Sequence, residues 1–195
     1  MLDPLPCATY AFVMSITPGP NNVMLTAAGA NFGLRRTVPH ILGVSCGFGV
    51  QVAAVCAGLG ILFTRWPQVQ WGLKWVGAAY LLYLGWQLLR AGGPGAARAG
   101  TPVTFAEAAM FQFVNPKAWV ISVTAATLFL PAQLGQLLAI GYVASIVTLV
   151  NLPCITLWAV FGSSLGLALT QPVARRIFNW VMAVALAATG IMMVA

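Results

Sequence analysis

Acidic residues are nearly missing from this chain: Asp3 and Glu107 are the only two in 195 residues, beside nine Lys and Arg and a single histidine. A hydrolytic centre built on paired carboxylates has nothing to work with, and neither HExxH nor a phosphate-binding GxxxxGK loop occurs. Intramembrane hydrolysis thus has little to work with, ATP-driven pumping by this chain alone is excluded, and the chain is not expected to be an enzyme. Cysteine is sparse too. Cys7, Cys46, Cys56 and Cys154 show no CxxC spacing and fall in or beside apolar runs. They read as small buried apolar residues and imply neither metal nor disulfide. No cofactor is expected.

What fills the space is apolar: 61% hydrophobic residues, 6% charged and a mean hydropathy of +0.92, against ~25% charged in soluble domains. Runs free of Lys, Arg, Asp and Glu extend over Pro4–Leu34, Thr37–Thr64, Trp75–Leu89, Ala118–Ala174 and Ile177–Ala195. A spanning helix needs ~20 apolar residues, and backbone groups in lipid must be paired within the chain. The fourth run divides near Pro131. The expected fold is therefore an all-α polytopic membrane protein with six spans, at 5–29, 38–62, 70–90, 106–130, 135–161 and 174–195. Almost nothing remains for a soluble domain. Asp3, with no basic residue before the first run, argues against a cleaved secretory signal.

Arg35 and Arg36, Arg90 and Arg98, and Arg175 and Arg176 flank the first, third and fifth connections, whereas only Arg65 and Lys74 flank the second. Basic residues collect in cytoplasmic loops, which predicts both termini on the far side of a bacterial inner membrane. The +7 charge is then a topology signal and an attraction to anionic lipid, with no nucleic-acid partner implied.

The chain also repeats itself. A shift of 98 residues aligns Pro18 with Pro116, Thr26-Ala27-Ala28 with Thr124-Ala125-Ala126, and Gly43 with Gly141. A shift of 105 matches WVGAAYLLYLG, from Trp75, with WVMAVALAATG, from Trp180, at five positions. Pseudo-repeats over 1–90 and 105–195, joined by a Gly- and Pro-rich linker at 91–104, would make a single transporter domain. Three is an odd number of spans, so the second half enters the membrane inverted, a 3+3 plan common among secondary transporters.

The spans are not clean. Within SITPGPNN, Pro18 and Pro20 lack N–H donors and free the carbonyls of Met14 and Ile16, and Pro116 does the same to Gln112. At ~1.5 Å per residue both breaks, in helices 1 and 4, fall near mid-membrane. The N–H groups where a helix resumes after Pro20 suit a carboxylate. Freed carbonyls and the side chains of Asn21, Asn22 and Asn115 suit an ammonium group. A packing kink is the plainer reading of either break alone. Lys117 costs ~3 kcal/mol at the centre of a span. It has three readings: a ligand for the substrate carboxylate, a proton-coupling group, or a side chain snorkelling to the interface. Glu107 reads as an interfacial carboxylate or a proton relay, and Asn151 and Pro153 as cavity lining or a packing kink. His40 is expected at the interface. Gly43 to Gly47 is a GxxxG pattern read as close packing more than as a dimer seam. Trp66, Trp71, Trp75 and Trp180 read as interface anchors.

On SITPGPNN, GANFGLRRT, WVGAAYLLYLGWQ and FQFVNPKAW the chain resembles the LysE/RhtB family of amino-acid exporters over its whole length. The resemblance implies proton-driven export of amino acids and close derivatives. It maps one substrate motif onto Pro18, Gly19, Pro20 and Asn21 and the other onto Asn115, Pro116 and Lys117, and is closest in wording to the cysteine/O-acetylserine branch, with homoserine/threonine and leucine exporters nearby. Exporters of lysine or arginine should supply a carboxylate for the second charge, and the second span has none, which favours a small neutral amino acid. The alternatives are a basic-amino-acid exporter of the same family and a small-solute channel. Expected partners are the amino acid, protons and membrane lipid, with a homodimer as a further candidate.

Overall fold

A computed structural model describes residues 2–61, 65–90 and 101–194. Among them are eight α-helices and no strand: α1 Leu5–Ile16, α2 Pro20–Phe32, α3 Leu34–Ala54 with a π turn Val55–Leu59, α4 Pro67–Arg90, α5 Phe105–Phe111 with a 3-10 turn Gln112–Val114, α6 Pro116–Phe129, α7 Gln136–Ala168 and α8 Pro172–Val194. The expected linker lies mostly outside the described residues, as does Arg98. Among the described residues, three helices are long and apolar enough to cross a membrane: Leu34–Leu59, Gln136–Ala168 and Pro172–Val194. α4 has the length, but Gln68, Gln70, Lys74 and Gln87 dilute it.

The first and fourth expected spans are each split, and the residue before proline explains where. Proline's ring excludes the helical region for its predecessor. Thr17 is extended (ψ 145°) before Pro18, Gly19 (φ −173°, ψ 177°) before Pro20, and Asn115 (φ −86°, ψ 109°) before Pro116. Proline then serves as the first residue of α2 and of α6, where its missing N–H costs nothing. Pro153 differs. α7 runs unbroken through it for 33 residues, so the helix at the expected fifth span is continuous. Past its end, the Arg175 guanidinium donates to the carbonyl oxygens of Gly166 and Leu169, closing its C-terminus with positive charge.

The helices meet through small residues. α2 lies along α7, where a side chain on Gly162 would strike the backbone of Thr26 and one on Gly166 that of Ala30. Gly29 faces Ala159 and Ser163 in return. α3 meets α5 in the same way, Gly43 against Phe105 and Ala108 and Gly47 against Ala109, so the GxxxG pattern is an internal seam. α3 also packs on α7, and α1 on α7 and α6. α4 and α8 form a separate pair, joined through Leu81, Leu186 and Met193 with Met24 and Phe111 behind them. Cys7, Cys56 and Cys154 are buried, whereas Cys46 is exposed. Trp66, Trp71, Trp75 and Trp180 are all exposed.

Overpacking the α2–α7 seam should be costly. Gly162→Leu is expected to destabilise the purified protein by about 3 kcal/mol, lowering Tm by roughly 6 to 12 °C. Gly141→Leu, on the open face of the same helix, should move Tm by less than about 2 °C. Equal shifts in thermal denaturation would contradict the seam.

Candidate substrate site at two helix breaks

The two breaks lie against each other. A narrow cleft between α1, α2, α3, α6 and α7 is lined by Ser15, Gly19, Asn21, Gln112, Lys117 and Asn151, with Asn22, Asn115, Phe48 and Ile155 among the other residues of its wall. Among the described residues, charge within it comes from Lys117 alone.

Every carbonyl freed at the first break has a taker. Val13 O accepts from Thr17 N–H and Met14 O from the Thr17 hydroxyl. Ser15 O accepts from Asn22 Nδ2 (3.0 Å) and Ile16 O from the Trp158 indole N–H (3.2 Å). Thr17 O accepts from Asn22 Nδ2 (2.8 Å) and from Lys117 Nζ (2.7 Å), and Pro18 O from Lys117 Nζ (3.1 Å). Lys117 also donates to Thr17 Oγ1 (3.0 Å). Its ammonium has three hydrogens and finds three acceptors, all on the extended link between α1 and α2. The carbonyls expected to await an ammonium group thus hold the one the chain itself provides. Gly19 fits the same contact: a Cβ there would stand 2.7 Å from Lys117 Cδ.

The donor side of the break is open. No side chain caps the start of α2, its first turn holds no acid, and the N–H groups of Asn21 and Asn22 have no partner among the described residues. The second break is built the other way. Asn115 Oδ1 accepts from Lys117 N–H and caps α6 (3.1 Å). Gln112 O takes both Asn115 N–H and Gln51 Nε2 (3.0 Å), and Phe113 O takes the Trp119 indole N–H.

A chain of amides ties the two breaks. Asn21 and Gln112 exchange bonds, Asn21 Nδ2 to Oε1 (2.8 Å) and Gln112 Nε2 to Asn21 Oδ1 (3.2 Å), and Gln51 reaches over from α3. Asn151 donates to Ser15 Oγ (3.0 Å), leaving its own Oδ1 buried and unpartnered, as is Gln51 Oε1. Asn151 therefore lines the cleft without breaking α7, and Pro153 follows it inside the intact helix.

The family model described as LysE type translocator matches residues 12–195, nearly the whole chain. The chain belongs to that family. Among curated relatives of this translocator, a cysteine/O-acetylserine efflux protein of Salmonella choleraesuis is 32% identical over 155 residues, 79% of each chain. Proteins of the same name from Klebsiella pneumoniae and Escherichia coli are 34% identical over 62% and 29% identical over 79% of each chain. No solved structure matches.

In this translocator Glu107 stands apart from the cleft. It is exposed, and its carboxylate accepts from Thr104 N–H and Oγ1 (both 2.8 Å) while its own N–H donates to Thr104 Oγ1, a complete capping box for α5. His40, expected at an interface, is fully buried on α3, its two ring nitrogens without partners among the described residues. Sequence reasoning passed over Ser15, Gln51, Gln112 and Trp158. Uncharged amides inside apolar runs were the available signal, since a buried amide in a span must find a partner.

Asn22 is the brace across the first break. Asn22→Leu keeps the volume but strips Ser15 O of its donor, and should cost about 1–3 kcal/mol, a fall of roughly 2 to 12 °C in Tm. A Tm within about 1 °C of wild type in thermal denaturation would mean the brace carries no load.

Proposed function

We propose that this translocator exports small neutral amino acids or close derivatives, of the cysteine/O-acetylserine, homoserine/threonine or leucine type, out of the bacterial cytoplasm by proton antiport. The observation that carries the reading is the uncapped start of α2, set in a cleft otherwise lined by side-chain amides, apolar residues and the Lys117 ammonium. Free N–H groups at a helix start hold a carboxylate, and the neighbouring carbonyls hold an ammonium. Pro18, Gly19, Pro20, Asn21 and Asn22 with Asn115, Pro116 and Lys117 form the substrate site, Asn151 adds a buried acceptor, and Lys117 is the coupling group. Neutrality of the side chain is supported by the lining: no carboxylate reaches the cleft, Asp3 and Glu107 both being exposed at helix starts. The names of the relatives point the same way.

The frame is six spans in two inverted halves, with both termini outside the cytoplasm. Packing supports it. Exchanging spans one to three with four to six carries α1 on α7 over to α5 on α3, and returns α3 on α7 and α4 on α8 to themselves. Two-fold related halves require that set of neighbours. Protons and membrane lipid are the other partners, and a homodimer belongs to the same reading.

Uptake of labelled amino acids into inverted vesicles, where export from the cytoplasmic face appears as accumulation in the lumen, tests the proposal. Cysteine, O-acetylserine, threonine, homoserine or leucine should accumulate only when a proton gradient is imposed. Uptake restricted to lysine and arginine, or flux that merely follows the solute gradient, would overturn it in favour of a basic-amino-acid carrier or a channel.

A further inference from the structure

The Lys117 ammonium sits where the proposed substrate's own ammonium belongs, and we infer that it is a tethered stand-in that the substrate amine must evict. The inference rests on the amino-acid reading of the cleft and assigns Lys117 to the amine side of the site, not to the carboxylate.

Three observations carry it. First, Lys117 Nζ is saturated: Thr17 O, Thr17 Oγ1 and Pro18 O take its three hydrogens at 2.7, 3.0 and 3.1 Å. With no hydrogen left, it has nothing to offer a carboxylate while it stays there. Secondly, those acceptors are the ones a primary alkylammonium would choose. They close the C-terminal end of α1, where the helix dipole places negative charge, and Val13, Met14, Ser15 and Ile16 have their carbonyls committed to other donors. An incoming amine has no second set of vacant backbone carbonyls at the break, and Asn151 Oδ1 offers one acceptor where an ammonium has three hydrogens to place. Thirdly, the donor half of the same break stands open, with the N–H groups of Asn21 and Asn22 uncapped. An amino acid whose carboxylate docks there brings its amine, one carbon away, to the carbonyl link that Lys117 holds. One ammonium position and two claimants make the empty and loaded sites mutually exclusive.

Gly19 sharpens the fit. A Cβ at this position would collide with the stem of Lys117 at 2.7 Å and crowd its Nζ at 3.1 Å. The backbone is extended there, a conformation any residue adopts, so what favours glycine is the lysine's approach and not its own torsion. The link is shaped to receive the end of this side chain. Thr17 and Pro18 are exposed, so the position is open to a solute once the lysine withdraws.

Binding of methylammonium, an amine without a carboxylate, separates this role from its rivals. Lys117→Met removes the charge and keeps an apolar stem beside Gly19, and Lys117→Ala is a second way of vacating the position. The side chain is only half-buried, and Thr17 O keeps its bond from Asn22, so both variants should fold. Saturating methylammonium should raise Tm of each variant by roughly 5 °C or more and leave wild type unmoved. Acetate should stabilise all three alike through the start of α2. Stabilisation of wild type by methylammonium, or of neither variant, would overturn the inference, as would acetate binding lost with Lys117, the mark of a carboxylate ligand. The vesicle panel reports separately. Amine binding confined to the variants, with no amino-acid flux by wild type, would sink the exporter reading and leave the stand-in intact; flux without the amine pattern would do the reverse.

Discussion

A backbone carbonyl that loses its helical partner inside an apolar bundle must find another donor or cost the fold several kcal/mol. Pro18 and Pro20 impose that demand twice within three residues, and Pro116 imposes it again in the neighbouring helix. Much of the polar chemistry of this molecule is a response. Asn22 folds back onto Ser15 and Thr17, Trp158 reaches Ile16 from α7, and Lys117 crosses from the other break to Thr17 and Pro18. Gln51 covers Gln112 O, and Gln112 in turn grips Asn21. Carbonyls attract donors from three other helices, and those donors draw the breaks together.

The asymmetry left over is what makes a site. Carbonyls at the first break are fully subscribed, while the N–H groups two residues later are not. Closing them with an N-cap side chain would have been easy, as Asn115 does for α6 and Thr104 for α5. At α2 the cap position is Gly19, which has no side chain to offer and whose bareness admits the lysine. Around this point the bundle is tightened by glycine seams, α2 to α7 and α3 to α5, that bring backbones into direct contact. The polar cleft is held in a frame with little slack.

Much of this was legible in the residues. Proline's missing N–H and its hold on the preceding residue place both breaks from sequence, and the extended Thr17, Gly19 and Asn115 bear that out. Apolar runs locate the helices, although α7 extends to Ala168, beyond the expected 161, because nothing before Leu169 breaks it. Pro153 removes one hydrogen bond and leaves the helix whole, whereas Pro18 and Pro20 together force two extended residues. What sequence could not supply was pairing at a distance. That Lys117 turns to a carbonyl one hundred residues upstream, that Asn21 spends its amide on Gln112, and that His40 is buried depend on which helix faces which. A run of letters without charge does not encode that.

The central claim is that the Lys117 ammonium holds the carbonyl link of the first break until a substrate amine takes it. Solid-state NMR on wild-type protein in lipid, with ¹⁵N in lysine side chains and ¹³C in threonine carbonyls, reads that contact directly. The dipolar coupling between Lys117 Nζ and the Thr17 carbonyl should be strong in the empty protein and collapse when a transported amino acid saturates the site. A coupling that persists unchanged in the loaded protein, or one already missing from the empty protein, would contradict the account.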